Sequence, residues 1–185
     1  MENMEELRLS LCDSEWPETA PDHDRVIVRA IVINEEGNFL FVRIRRDDEF
    51  GKATLIETSG GGVEPGEDLA AAIRRELKEE LGAEVEIVCK LGVVSDYYNL
   101  IRRHNINHYY LCRAISFGET ERTDQEITDF HMTSLCLPYE DALREYEACR
   151  CSKLGRLIAN REVPVLERAR ELLRCSGIKE VSPCA

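Results

Sequence analysis

The segment GGVEPGEDLAAAIRRELKEELGA, residues 61–83, decides how this chain is read. From Glu67 onward, Leu69, Ile73, Leu77 and Leu81 recur every four residues, the spacing of one helical face. Pro65 and Gly66 precede this predicted helix and Gly82 follows it, as its start and stop. Glu76, Glu79 and Glu80 stand at i, i+3 and i+4, so their carboxylates share a face. Like charges so placed repel by roughly a few tenths of a kcal/mol per pair, which a bound cation would relieve. Hard cations such as Mg²⁺ take oxygen ligands, and carboxylates suit them. A solvated helix face, with Arg74, Arg75 and Lys78 pairing these acids, accounts for the same residues. The helix alone leaves both readings open.

The glycines in front of the helix change the balance. Gly60, Gly61 and Gly62 follow a short predicted strand, Thr54–Thr58. Glycine there lets the backbone turn sharply and approach a ligand closely, or simply makes a tight turn. The combined spacing is more specific than either part. Gly61, five residues, Glu67, seven residues, then Arg75-Glu76-Leu77-Lys78-Glu79-Glu80-Leu81-Gly82 resembles the Nudix box, G-x5-E-x7-R-E-U-x-E-E-x-G-U, with U a bulky aliphatic residue. Every glycine, glutamate and arginine position of the pattern is matched, and Leu77 fills the first U. Ala83 stands where the last U would be, and Ser59 where many members have proline before the double glycine.

The resemblance implies an α/β Nudix fold, a mixed β-sheet sandwiched between α-helices. It also implies a pyrophosphohydrolase, a hydrolase acting on acid anhydrides, that cuts a nucleoside diphosphate linked to another moiety. That moiety could be a sugar, an ADP-ribose-like group, further phosphates or a second nucleoside. Mg²⁺ is the implied cofactor, with Mn²⁺ as a substitute. Carried over residue by residue, Glu76 and Glu80 would be the main metal ligands. Glu79 would be a further ligand or a water-orienting group, and Gly60 would offer its carbonyl. Glu67 and Arg75 would form a supporting ion pair holding the loop against the helix, next to Gly61. The general base in this family is either a box glutamate or an acid from a later loop. Glu126, directly before the predicted strand Ile127–Leu135, is the chosen candidate beside Glu79 and Glu80. Arg29, Arg43 and Arg45 are candidate phosphate contacts. Tyr98 lies near where some diadenosine-polyphosphate members carry a tyrosine. The second reading is a Nudix-fold sensor that binds a nucleotide without cutting it; the intact box glutamates weigh against it.

Around the box the sequence predicts strands at Val26–Ile33 and Phe39–Ile44 joined by a turn at 34–37. Residues 46–53 read as a charged loop. Strands are predicted at Val85–Val94 and His108–Ile115, a polar loop at 116–125, and helices at Pro138–Ala148 and Val163–Leu173. Strands separated by helices in one short chain again give a mixed sheet covered by helices. The expected organisation is an extension at 1–25, a Nudix domain at 26–150, and a C-terminal helix and loose tail at 151–185 within the same domain. Leu7, Leu9 and Leu11 alternate with polar residues as a short half-buried strand, which could pair with a partner's sheet in a homodimer.

The bulk properties bound the partners. A net charge of −12 argues against a nucleic-acid interface or docking on anionic membrane. It permits a small phosphorylated substrate, because a divalent ion reverses the local field. No apolar run approaches the ~20 residues of a membrane helix, and the acidic start is unlike a secretory signal, so a cytoplasmic location is expected. The eight cysteines lack a C-x-x-C pair and read as reduced thiols.

Overall fold

Val26–Ile33 is β-branched almost throughout, and it lies inside the strand that organises the sheet. The structure is a computed structural model and describes residues 6–175. Its strands are β1 (Leu7–Leu11), β2 (His23–Ile33), β3 (Phe39–Asp48), β4 (Gly51–Glu57), β5 (Ser59–Gly62), β6 (Ala83–Tyr98), β7 (Arg103–Phe117) and β8 (Thr133–Leu137). The helices are α1 (Leu69–Leu81), α2 (Asp124–Thr128), α3 (Tyr139–Cys149) and α4 (Lys153–Cys175). Among the described residues the strands form one sheet in the order β1-β6-β7-β2-β3-β4, with β5 joined to β2 and β8 to β3. The β1–β6 and β2–β7 pairs are parallel and the others antiparallel, so the sheet is mixed.

Helices cover both faces. Val28, Ala30 and Val32 pack with Ile73, Leu77 and Leu81 of α1. Ile31 and Ile33, of opposite parity on β2, pack with Tyr146 of α3 and Ile158, Val165 and Leu166 of α4. Ile73 and Leu77 are fully enclosed, each contributing roughly 1.5–3 kcal/mol of apolar burial that fixes α1 to the sheet. The Asp68 carboxylate caps the first turn of α1, accepting from the amides of Ala70 and Ala71. Gly82 closes the helix in the left-handed conformation, its N–H bonded to the Leu77 and Lys78 carbonyls.

Several sequence expectations are corrected. Residues 46–53 are not a loop. The β3–β4 hairpin runs on to Asp48 and restarts at Gly51, so these charged residues sit on a two-stranded arm. The glycine run is strand β5, hydrogen-bonded to Ile27–Ala30, because absent side chains let two backbones lie close. Ile127–Leu135 is not a strand: it starts in α2, passes a left-handed His131, and only Thr133–Leu137 pairs with β3. The helix expected at Val163–Leu173 begins a full ten residues earlier and runs through Pro164. Strand β1 pairs with the chain's own β6, which removes it as an argument for pairing with a partner. The seven described cysteines are free thiols. The tail after Cys175 lies outside the described residues. Among the described residues no helix is long and apolar enough to cross a membrane.

Candidate active site

The site arises where β2 and β3 part. They pair only at Val32–Leu40 and Ile33–Phe39. Beyond that point β2 takes β5 as its neighbour, and β3 takes β4 and β8. A cavity of about 380 Å³ opens in the gap. Its lining includes β5 with Glu76 and Glu80 of α1, an acidic wall, together with Glu57 of β4 and with Arg25 and Arg29 of β2, Arg103 of β7 and Arg161 of α4. Acids and arginines therefore share one space.

The acidic wall is held by short contacts. Glu80 is 5% exposed, and its Oε2 accepts from Ser59 Oγ at 2.5 Å and from the Gly60 N–H at 2.9 Å. Burial pushes its carboxyl up to about 8, against those two hydrogen bonds, with Glu76 and Glu126 adding like charge. Burial also raises Glu76, opposed by Arg75, whose Nη1 lies 2.8 Å from Glu76 Oε1. Arg75 binds Glu67 in bidentate fashion at 2.9 and 3.0 Å, and reaches the Gly62 carbonyl at 3.1 Å. One guanidinium thus ties α1, the loop at Glu67 and the end of β5 together, and its bonds hold the Glu67 carboxyl below its ordinary value. Glu79 stands one step outward: its side chain is 35% exposed, touches Arg75 at 3.2 Å and does not line the cavity.

Glycine is required at two positions for different reasons. A Cβ on Gly60, at φ 146°, would sit 2.1 Å from the Val28 carbonyl oxygen. A Cβ on Gly61 would meet the Glu76 carboxylate at 2.5 Å. We expect Gly60→Ala to cost about 2 kcal/mol or more, read as a lower denaturation midpoint. Gly61→Ala should displace a movable side chain instead, so it should lose activity with a smaller loss of stability.

Other sequence candidates divide. Glu126 lines the cavity, but from helix α2, where its carboxylate also accepts the Thr123 N–H at 2.7 Å in a capping box. Arg29 and Tyr98 line the cavity as well. Arg29 is committed to Glu57 at 3.3 Å and to the Thr58 carbonyl at 3.1 Å. The Tyr98 hydroxyl accepts from Arg161 at 2.8 Å, and the ring meets Phe50 edge-on. Arg43 and Arg45 do not join them. They alternate along β3 with the cavity-lining Val42, Ile44 and Arg46; Arg43 pairs with Glu145 of α3 at 2.8 Å and Arg45 is exposed.

Sequence reasoning missed Arg161 and Glu162, 1% and 0% exposed. Arg161 binds Asp96 at 3.1 Å, Glu57 at 3.3 Å and Glu162 at 2.9 Å. Glu162 also accepts from Tyr109 at 3.0 Å and Thr58 at 2.9 Å. A signal existed: Leu154, Ile158, Arg161 and Val165 follow the apolar period of α4, so a charge occupies a core position. Ser59, read as a departure in the loop, is the hydroxyl that holds Glu80.

Comparison with known proteins fits this arrangement. The family model described as NUDIX domain matches residues 23–150. The chain belongs to this family. A curated relative, nucleoside triphosphatase NudI of Enterobacter sp. (strain 638), is 62% identical over 65 residues, 34% of this chain and 43% of that protein. The match therefore spans less than half the length of that relative. A NUDIX hydrolase from Nitrosomonas europaea superposes with a TM-score of 0.59 at 15% identity, covering 88% of this chain and 97% of the other. The MutT NUDIX hydrolase from Burkholderia pseudomallei gives 0.50 at 26% identity over 64% of this chain and 86% of its own. The mixed sheet between helices is thus the Nudix fold, and the split between β2 and β3 is where this Nudix chain carries its charged cavity.

Proposed function

We propose that the protein hydrolyses a pyrophosphate bond of a nucleoside diphosphate derivative with Mg²⁺ as cofactor. The observation that carries this is one cavity lined by both carboxylates and guanidinia. Arginines suit the oxygens of a diphosphate, and buried acids suit a hard cation.

The residues fit such an ion in their chemistry. Glu80 is nearly enclosed, yet its direct partners are a neutral hydroxyl and a neutral amide, so its charged form lacks a counter-charge. Among the described residues no three Asp, Glu, His or Cys side chains already close around a point. One or two carboxylates with substrate and water oxygens are how Mg²⁺ is commonly held. Glu76, Glu80 and the Gly60 carbonyl would hold it, with Glu79 outside them. When bound, it would neutralise phosphate charge and make water more acidic.

The chain's own groups do the rest. Arg29, fixed by Glu57 and Thr58, presents a guanidinium that cannot swing away. Glu126, which lines the cavity, would accept a proton from a water bound there. Tyr98 and Phe50 supply apolar surface beside the arginines. A homodimer and a cytoplasmic location belong to the same reading; a monomer mass independent of concentration would count against the dimer.

A panel of nucleoside triphosphates, nucleotide sugars, ADP-ribose and dinucleoside polyphosphates with Mg²⁺ or Mn²⁺ tests the activity, phosphate being detected after a phosphatase step. We expect cleavage that a chelator abolishes. If nothing in the panel is cleaved while nucleotides still bind, the sensor reading replaces this one.

A further inference from the structure

One side chain in the cavity has no structural use. Asn105 is 1% exposed and lines the cavity, and neither its Nδ2 nor its Oδ1 has a partner. Buried amides are nearly always bonded, so two orphaned atoms on one residue call for a reason. Its neighbours are already committed. Asp96, opposite it on β6, gives one oxygen to Asn107 at 2.8 Å and the other to Arg161 at 3.1 Å.

Two arginines beside it lack an acid partner among the described residues. Arg25 stands opposite Asn105 on β2, is exposed, and has no acid partner among the described residues. Its Nη2 lies 3.1 Å from where a side chain on Gly62 would begin, which places it at the glycine strand. Arg103 lies over the Tyr98 ring at 5.7 Å, with its Nε buried and unbonded. Burial and the nearby charge of Arg25 both disfavour its charged form. Arg29 and Arg161 differ, since carboxylates compensate both. The uncompensated donors therefore gather around Asn105, beside the end of β5.

We propose that Asn105, Arg103 and Arg25 form a specificity subsite for a second anion on the substrate. The group beyond the scissile diphosphate would carry its own phosphate or carboxylate. The guanidinia and Asn105 Nδ2 would donate to that anion, while Oδ1 is free to accept from a hydroxyl beside it. The subsite rests on the proposed hydrolase reading for its place in the reaction, but its binding can be read without turnover.

Three ligands with the same base separate the sources of charge: a nucleoside diphosphate linked to a neutral hexose, the same compound with a uronic acid, and the nucleoside triphosphate. Equilibrium binding is measured calorimetrically, and kcat/KM where cleavage occurs. We expect the wild type to favour at least one anionic ligand over the hexose by about tenfold or more. The arm that prevails tells carboxylate from phosphate. Arg25→Gln, at an exposed position, should bring the preference for the anionic ligand close to one. Asn105→Leu should also lose it while keeping or raising the melting temperature, because it removes an unsatisfied amide. A structural asparagine would instead lose stability on this change. Equal binding of all three ligands by the wild type, or an undiminished preference in Arg25→Gln, overturns the subsite. If hexose cleavage persists without preference, the subsite alone fails; if no ligand binds or is cleaved, the proposed function fails with it.

Discussion

Glu80→Gln should lower Mg²⁺-dependent turnover by about 10²–10⁴ while leaving the fold intact. Glutamine keeps the volume, and its carbonyl can still accept from Ser59 or the Gly60 amide, which now hold Oε2 at 2.5 and 2.9 Å. What it loses is the negative charge at the centre of the acidic wall. The same variant has an opposite effect on stability without metal. The Glu80 carboxyl is raised to about 8 by burial, above its ordinary 4.5. The folded state therefore holds a proton that the unfolded state releases between those values. Its stabilising contribution is complete below 4.5 and is lost as pH rises through about 8. At pH 9 the metal-free glutamine variant should be more stable than wild type by several kcal/mol, with the gap closing near pH 4. Turnover and circular dichroism measured together check both halves. Undiminished hydrolysis by Glu80→Gln would remove the proposed mechanism.

Arg161→Met should destabilise the protein by about 3–5 kcal/mol, a large share of the roughly 5–15 kcal/mol that holds a domain folded. Arg161 is enclosed on every side and bonds Glu57, Asp96, Tyr98 and Glu162. Removing it leaves Glu162 and Asp96, 0% and 4% exposed, with charge that only Arg29 and neutral donors oppose. Burial alone would lower the Arg161 pKa, and the surrounding phenols and carboxylates reverse that and hold it charged. Arg161→Lys should rescue little, because one ammonium cannot replace a planar fork spread over four partners. Chemical denaturation of the three proteins checks this, and a loss below about 1 kcal/mol in Arg161→Met would show the cluster to be well solvated.

The family, the fold and α1 were legible in the sequence because they depend on local spacing. The four-residue recurrence of Leu69, Ile73, Leu77 and Leu81 fixes the buried face of α1, and Gly82 ends it through backbone conformation alone. The turn at 34–37 was legible for the same reason: Asn34 and Gly37 carry it without distant help. The cavity was not legible, because it depends on where β2 abandons β3 for β5. That choice is made by backbone approach at Gly60–Gly62, and glycines read locally as a turn. Arg46 lines the cavity where Arg43 and Arg45 do not, because the face presented by an alternating strand depends on register, which the β8 and β4 pairings set. Arg25, Arg103 and Asn105 meet only through the parallel β2–β7 pairing across some eighty positions, and composition gives no hint of it.

Glu76 and Glu80 are proposed to hold a divalent cation in this cavity. Calorimetric titration of Mg²⁺ at pH 7, in two buffers of different ionisation enthalpy, counts the protons released on binding. With Glu80 raised to about 8, wild type should release close to one proton per ion, and Glu80→Gln should bind more weakly and release almost none. Binding by wild type without proton release, or equal binding and release by both proteins, would contradict the site.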